Sequence, residues 1–158
     1  MKYNIFNMPT QQAETSANSE ELKMLNRRYQ LQKREGVGGM AHVYRANDVV
    51  LRRVVAIKVL REHLAEERNV VEQFLREARA VAHLSHPNVV AVYDVGSDKR
   101  RHYMVLEHVA GQDLKSHVVL DAPFSIERTL DYAIQICAGV GHAHRQGIVH
   151  CDIKPQNI

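Results

Sequence analysis

Ile148-Val149-His150-Cys151-Asp152-Ile153-Lys154-Pro155-Gln156-Asn157 is the stretch on which the reading of this chain turns. It sets a histidine, a thiol, a carboxylate, an ammonium and an amide within one short segment. A zinc site is disfavoured there. His150, Cys151 and Asp152 are consecutive, and adjacent side chains rarely converge on one ion. Gly147 stands just before the segment, where a helix would end. His83 and His86, further upstream, read as structural residues straddling another helix end.

Working back from Gly147, the spacing predicts a long helix after Pro123 with Ser125 as its N-cap. Its apolar stripe is Ile126, Leu130, Ala133, Ile134, Cys137, Val140 and Ala143. A short helix is predicted around Asp113 to Val119. Val89 to Val95 and His102 to Val109 read as strands joined by Gly96-Ser97-Asp98-Lys99-Arg100. Val71, Phe74, Leu75, Ala78, Val81 and Ala82 recur at helical spacing, and Ser85-His86-Pro87-Asn88 ends that helix near His83. Val54 to Leu60 is a β-branched run of strand length with Lys58 inside it. Tyr29 to Lys33 and His42 to Ala46 read as a hairpin around the Gly-rich Gly36-Val37-Gly38-Gly39-Met40-Ala41. Five strands, with one helix after the third, are thus followed by helices. This order predicts a small sheet-based lobe and then the start of a helical lobe. Residues 1–27 are polar and without period, and read as a mobile arm with a short helix near Glu20 to Arg27.

Composition narrows the function classes. Of 158 residues, 45% are apolar and 25% charged, an ordinary globular balance for one domain or part of a larger one. The net charge is only +3 with signs interspersed, so a nucleic-acid footprint is lacking. Trp is absent and aromatics are 6%, which argues against a base-stacking platform. Cys137 and Cys151 are too few for a disulfide framework and suit a reducing compartment. No apolar run reaches the roughly 18 residues of a membrane helix, and Lys2 excludes the glycine that myristoylation needs. The chain reads as cytoplasmic, with an anchor past Ile158 left open.

Three features carry chemistry besides the opening stretch. Gly36 to Ala41 satisfies G-x-G-x-x-A, a dinucleotide fingerprint, but that reading needs a helix after the loop. His42 to Ala46 alternates like a strand, which leaves a hairpin turn or another phosphate loop. Lys58 shares a strand face with Ala56. It either snorkels to water at an edge or is buried against an anion, since an unpaired buried ammonium is costly. Glu77 lies beside the apolar stripe of its helix. It pairs with the neighbouring Arg76 or Arg79, or it answers Lys58.

Taken in order with the opening stretch, these features resemble the amino-terminal part of a protein kinase domain, close in pattern to bacterial serine/threonine kinases of the eukaryotic type. The resemblance runs from about Tyr29 to Ile158. It implies an α+β, protein-kinase-like fold. An antiparallel five-stranded N-lobe with one inserted helix, and the hinge, would span 28–109. The first helices of a C-lobe would span 110–158, ending just after the catalytic loop. It further implies ATP and Mg2+ as cofactors and a protein Ser or Thr hydroxyl as phosphoryl acceptor, with no nucleic acid and no membrane segment in this chain.

Residue by residue, the resemblance makes Gly36, Val37, Gly38, Gly39, Met40 and Ala41 the phosphate-covering loop and sets Val43 over the base. Ala56 lines the adenine pocket, Lys58 holds the α- and β-phosphates, and Glu77 holds Lys58. Leu106 falls at the gatekeeper position, and the backbone at Glu107 and Val109 binds adenine. Asp113 reaches the ribose or simply caps a helix. Asp152 is the catalytic base or orienter, Lys154 neutralises the transferring phosphoryl group, and Asn157 coordinates Mg2+. Val81, Val92 and His150 join a packed column between the lobes.

The chain departs from the pattern in four places. Ala41 replaces the last glycine, a mild change. Glu35 stands where many relatives carry an apolar residue. Cys151 replaces the arginine of H-R-D, which puts control by a phosphorylated activation loop in doubt. The 158 residues also contain no Asp-Phe-Gly segment. The expectation is therefore a serine/threonine protein kinase present as a fragment inactive alone. The alternative is a non-catalytic nucleotide-binding or partner-docking remnant.

Overall fold

The computed structural model describes residues 24–158. Most of the expected arm, residues 1–23, lies outside the described residues.

The Val54–Leu60 run forms the heart of a six-stranded antiparallel sheet. Its strands are β1 (Met24–Leu25), β2 (Tyr29–Val37), β3 (Ala41–Asp48), β4 (Arg53–Leu60), β5 (Val92–Asp98) and β6 (Arg101–Glu107), in the order β1-β2-β3-β4-β6-β5. β4 lies between β3 and β6, and its residues Val55 to Leu60 are all buried. A strand covered on both faces needs apolar side chains on both, which is why this run does not alternate. On one face Val55, Ile57 and Val59 pack with Tyr29, Leu31, Tyr103 and Val105. Tyr29 and Tyr103 meet edge to face, ring centroids 5.8 Å apart. On the other face Ala56 and Leu60 pack with Val43, Met104 and Leu106 and with the inserted helix.

That helix, α1 (Arg68–Val81), buries Phe74, Ala78 and Val81, the stripe its spacing predicts. Two more helices follow the sheet, α2 (Leu114–Asp121) and α3 (Ile126–Arg145). Asp113 caps α2 by accepting from the Ser116 N–H at 2.7 Å. Ser125 caps α3 by accepting from the Arg128 N–H at 3.2 Å. Gly147, just past α3, has φ +75°, the left-handed region glycine enters without steric cost. No helix among the described residues is long and apolar enough to cross a membrane.

The kinase-like α+β architecture agrees with the expectation, with differences in detail. There are six strands rather than five. Residues 24–27, expected as the end of the arm and part of a short helix, form β1 and a turn. Asn26 and Arg27 have φ of 48° and 54°, which stops a helix, and Leu25 is fully buried opposite Tyr29. A two-residue strand has no period to read. The fourth strand of the expectation is shifted. Val89 and Val90 are core residues in irregular chain, while Gly96 to Asp98 still pair with β6. Most of the apolar stripe of α3 is exposed: Ile126 is 80% and Ile134 66% accessible. Against the sheet-bearing half α3 turns Gln135, Gly139 and His142, through the Asn88–Gln135 hydrogen bond and the stacked His86–His142 rings.

Candidate active site

Alternation along β4 points Lys58 to the same face as Ala56, opposite Val43 on β3 and Met104 on β6. The side chain is 8% exposed, and its Nζ lies 3.2 Å from Oε1 of Glu77 on α1. Glu77 reaches it because it flanks the buried Phe74–Ala78–Val81 stripe. Burial pulls the Lys58 ammonium below its ordinary range, and the Glu77 carboxylate offsets part of that shift by charge and hydrogen bond. The pairing of the two awkward charges anticipated from the sequence is thus present.

The Gly-rich stretch joins β2 to β3. Gly36 and Val37 complete β2, Gly38 and Gly39 make the turn, and the Gly38 N–H donates to the Ala41 carbonyl at 2.8 Å. A Cβ on Gly39 would meet nothing within 4 Å, so the backbone at the turn's tip is approachable. The Met40 carbonyl accepts from the Arg61 N–H at 3.0 Å. A strand follows Ala41, not a helix, which removes the dinucleotide reading. Beneath the turn, Val43 and Ala56 are buried on one face, and Ala56 stands opposite Leu106. Glu107 closes β6. Its N–H donates to the Ala91 carbonyl at 2.9 Å, which anchors the start of the next segment. Val109 is exposed, and the Asp113 carboxylate serves as the α2 cap.

After α3 the chain turns sharply through Cys151, whose φ of +62° is unusual for a side-chain-bearing residue. The turn lets the Asp152 N–H donate to His150 Nδ1 at 3.0 Å. Lys154 Nζ lies 2.8 Å from Asp152 Oδ2. The hydrogen bond from Lys154 is the main cause holding the Asp152 carboxyl below the usual carboxylate range. A 3-10 turn over Pro155–Asn157 brings Asn157 Nδ2 within 2.9 Å of the Asp152 carbonyl and 3.3 Å of its Oδ2. The Leu114 N–H donates to the Ile158 carbonyl at 2.7 Å, tying this segment to α2. Asn157 is buried, and its Oδ1 has no hydrogen-bond partner. An unpartnered buried amide oxygen suits a hard cation.

Glu77, His150 and Asp152 line one pocket of about 310 Å3, together with Val81 and Ile148. The structure therefore brings Glu77, the partner of Lys58, and Asp152, the partner of Lys154 and Asn157, to the lining of one pocket. One pair was missed by the sequence reading. Glu35 Oε2 lies 3.3 Å from His108 Nε2, where His108 directly follows β6. Glu35 falls at a register shift between Arg34 and Gly36, so strand alternation could not have aimed it.

Comparison with known proteins identifies the family and the fold. Residues 29–158 match the family described as the protein kinase domain. The chain is 44% identical over 135 residues to a probable serine/threonine-protein kinase of Clostridium acetobutylicum, an alignment covering 85% of this chain and 20% of that one. It is 42% identical over 136 residues to the serine/threonine-protein kinase PrkC of Bacillus subtilis, covering 86% of this chain and 21% of that one. It spans about a fifth of the length of these curated relatives. In structure it is similar to the Mycobacterium tuberculosis PknI kinase domain, with a TM-score of 0.72 at 23% identity. That likeness covers 88% of this chain and 57% of the other and speaks for the fold. With the family match spanning nearly all the described residues, the chain belongs to the protein kinase domain family.

Proposed function

We propose that this chain carries the nucleotide-binding and phosphoryl-transfer residues of a serine/threonine protein kinase. Residues 28–109 would be its N-lobe and hinge, and 110–158 the start of its C-lobe. The observation that carries the reading is the buried Lys58–Glu77 pair at 3.2 Å, whose Glu77 lines the same pocket as Asp152. A structural lysine gains little from such burial, since desolvation of both charges opposes their attraction. A lysine that must meet phosphate oxygens does need to be held there.

The base of ATP would lie against Val43 and Ala56, with its edge on the backbone at Glu107 and Val109. The approachable backbone of the Gly36–Ala41 turn would cover the phosphates, and Lys58 would hold two of them. Asp152, kept ionised by Lys154, would orient the Ser or Thr hydroxyl and accept its proton. Lys154 would then stabilise charge on the transferring group. The free Oδ1 of Asn157 fits a Mg2+ ion, which would supply positive charge to the phosphate oxygens.

MgATP titration of the chain, followed by transfer of labelled phosphate in a kinase domain completed past residue 158, tests the reading. Lys58→Ala should weaken nucleotide binding. In the completed domain Lys58→Ala and Asp152→Ala should each abolish transfer. Normal turnover in either variant would overturn the site assignment.

A further inference from the structure

Glu35 and His108 belong to strands that are not neighbours. In the sheet order, β3 and β4 lie between β2, which carries Glu35, and β6, which His108 follows. Neighbouring strands are about 4.8 Å apart, so a flat sheet would put these two backbones about 14 Å apart. Their side chains nevertheless meet at 3.3 Å. The contact therefore crosses two intervening strands, and the register shows which residues lie between its ends. Gly36 stands opposite Val43, Val43 opposite Lys58, and Ala56 opposite Leu106. His108 shares the parity of Leu106 along the chain. The irregularity between Arg34 and Gly36 frees Glu35 from the alternation that carries Arg34 opposite Tyr44 on the other face. The pair thus joins the Gly-rich strand to the residue after β6, across the two strands that carry Val43, Ala56 and Lys58. Both side chains are mostly buried, His108 at 18% and Glu35 at 28% exposure. Core packing does not account for either residue, because each is polar and neither belongs to the apolar cluster.

We propose that Glu35 and His108 are positioning residues for the nucleotide: their clasp ties the Gly-rich strand to the hinge, sets the width of the cleft and so raises affinity for a purine nucleoside triphosphate. The proposal rests on the nucleotide-site reading above. It also gives a physical reason for the acidic residue at position 35. The carboxylate is there for a partner across the cleft, a contact an apolar side chain cannot make. Two long side chains locked together restrict the hinge-to-strand distance before nucleotide arrives, and ordering done in advance is not subtracted from binding.

The test is calorimetric titration of the chain with Mg2+ and a non-hydrolysable ATP analogue. The variants are Glu35→Ala, His108→Ala, the double variant, and the exchange Glu35→His with His108→Glu. A partly exposed pair of this kind predicts about a threefold rise in Kd for each single variant. The double variant should lose no more than either single one, and the exchange should recover affinity. The nucleotide-free melting midpoint, read in parallel, separates looser binding from poorer folding: a merely structural pair would move the midpoint and leave Kd unchanged. Unchanged Kd in the single variants, or losses that simply add in the double, overturns the clasp. Lys58→Ala separates this proposal from the one beneath it. If Lys58→Ala loses binding while the clasp variants match the wild type, the clasp fails and the nucleotide site stands. If the wild type binds no nucleotide, the site reading fails and the clasp with it.

Discussion

Lys58 shows how one residue can be a burden to the fold and still be required by the site. Its ammonium is withdrawn from water, and Glu77, itself 30% exposed, is its partner at one ångström-scale contact of 3.2 Å. Replacing a whole buried ion pair with apolar side chains of similar volume is often neutral or stabilising, whereas removing one partner strands the other unless water reaches it. Glu77 is 30% exposed and water reaches its carboxylate, so Lys58→Met should keep the fold while removing nucleotide binding. Urea unfolding and nucleotide titration of the same sample check both halves. The pH dependence follows from the direction of the shift. Burial lowers the folded-state value of Lys58, so between that value and the ordinary 10.5 the unfolded chain holds more protons. Wild-type stability should accordingly gain on Lys58→Met as pH rises through that alkaline window. Urea midpoints compared along a pH series would show it, and parallel curves would contradict it. At the residue level the sequence displayed Lys58, Glu77, Asp152, Lys154 and Asn157 plainly, because charge inside an apolar run is conspicuous. Glu35 and His108 were not legible, since a bulge breaks the alternation that would have aimed Glu35.

At the scale of elements, α3 is held against the sheet-bearing half by a close approach. A Cβ on Gly139 would stand 2.9 Å from the Asn88 backbone carbonyl, and that neighbour is main chain rather than a flexible tip. Gly139→Ala should cost about 1–3 kcal/mol through overpacking, despite alanine's better helix propensity. Thermal or urea unfolding measures it, and a gain in stability would refute the contact. The Ser125 cap was predictable from local chemistry, while Asp113, left open between a ribose contact and a cap, is a cap in the structure. Asp113 and Ser125 each precede a helix and accept from an N–H three residues on. Asp113→Ala should cost about 1 kcal/mol, readable as a lower urea midpoint. The burial of α3 was not predictable in the same way. Its apolar stripe faces outward, while Gln135, Gly139 and His142 meet the 86–88 turn. Periodicity identifies an apolar face but not the neighbour that covers it.

Across the molecule, a polar network ties the far edge of the sheet together. Asp48 is fully buried at the end of β3. It accepts from Arg28 Nε at 3.0 Å and Nη2 at 2.8 Å, and from the Val50 and Leu51 N–H groups at 3.1 Å. Arg28 also reaches Asp94 on β5 at 3.5 Å, and the Tyr29 hydroxyl donates to Asp94 at 2.7 Å. Residues from the start of β2 to β5 are thus joined through two carboxylates. The Arg28 hydrogen bond is the largest cause holding the Asp48 carboxyl down at about 2, against an ordinary 3.8. A carboxyl lowered by folding contributes stability above its unfolded value and loses it as pH falls towards the folded value. Asp48 should therefore contribute about 2 kcal/mol above pH 3.8, lost on acidifying towards pH 2. Asp48→Asn should flatten the acid-unfolding curve in that window, followed by circular dichroism. An unchanged curve would assign the acid sensitivity to other carboxylates.

What the sequence by itself determined is what depends on near neighbours along the chain. Strand and helix periods, the cap at Ser125, the breaker at Gly147 and the order of the charged motifs are all of this kind. They suffice to name the family. The tertiary structure alone decided which distant residues meet. Pairing of β1 with β2 buries Leu25, Glu35 meets His108 across two intervening strands, and α3 packs through Gln135, Gly139, His142 and Ala143 while most of its apolar stripe stays exposed. Each of these depends on long-range closure of the chain, in which the cost of ordering is met by contacts with no local signature.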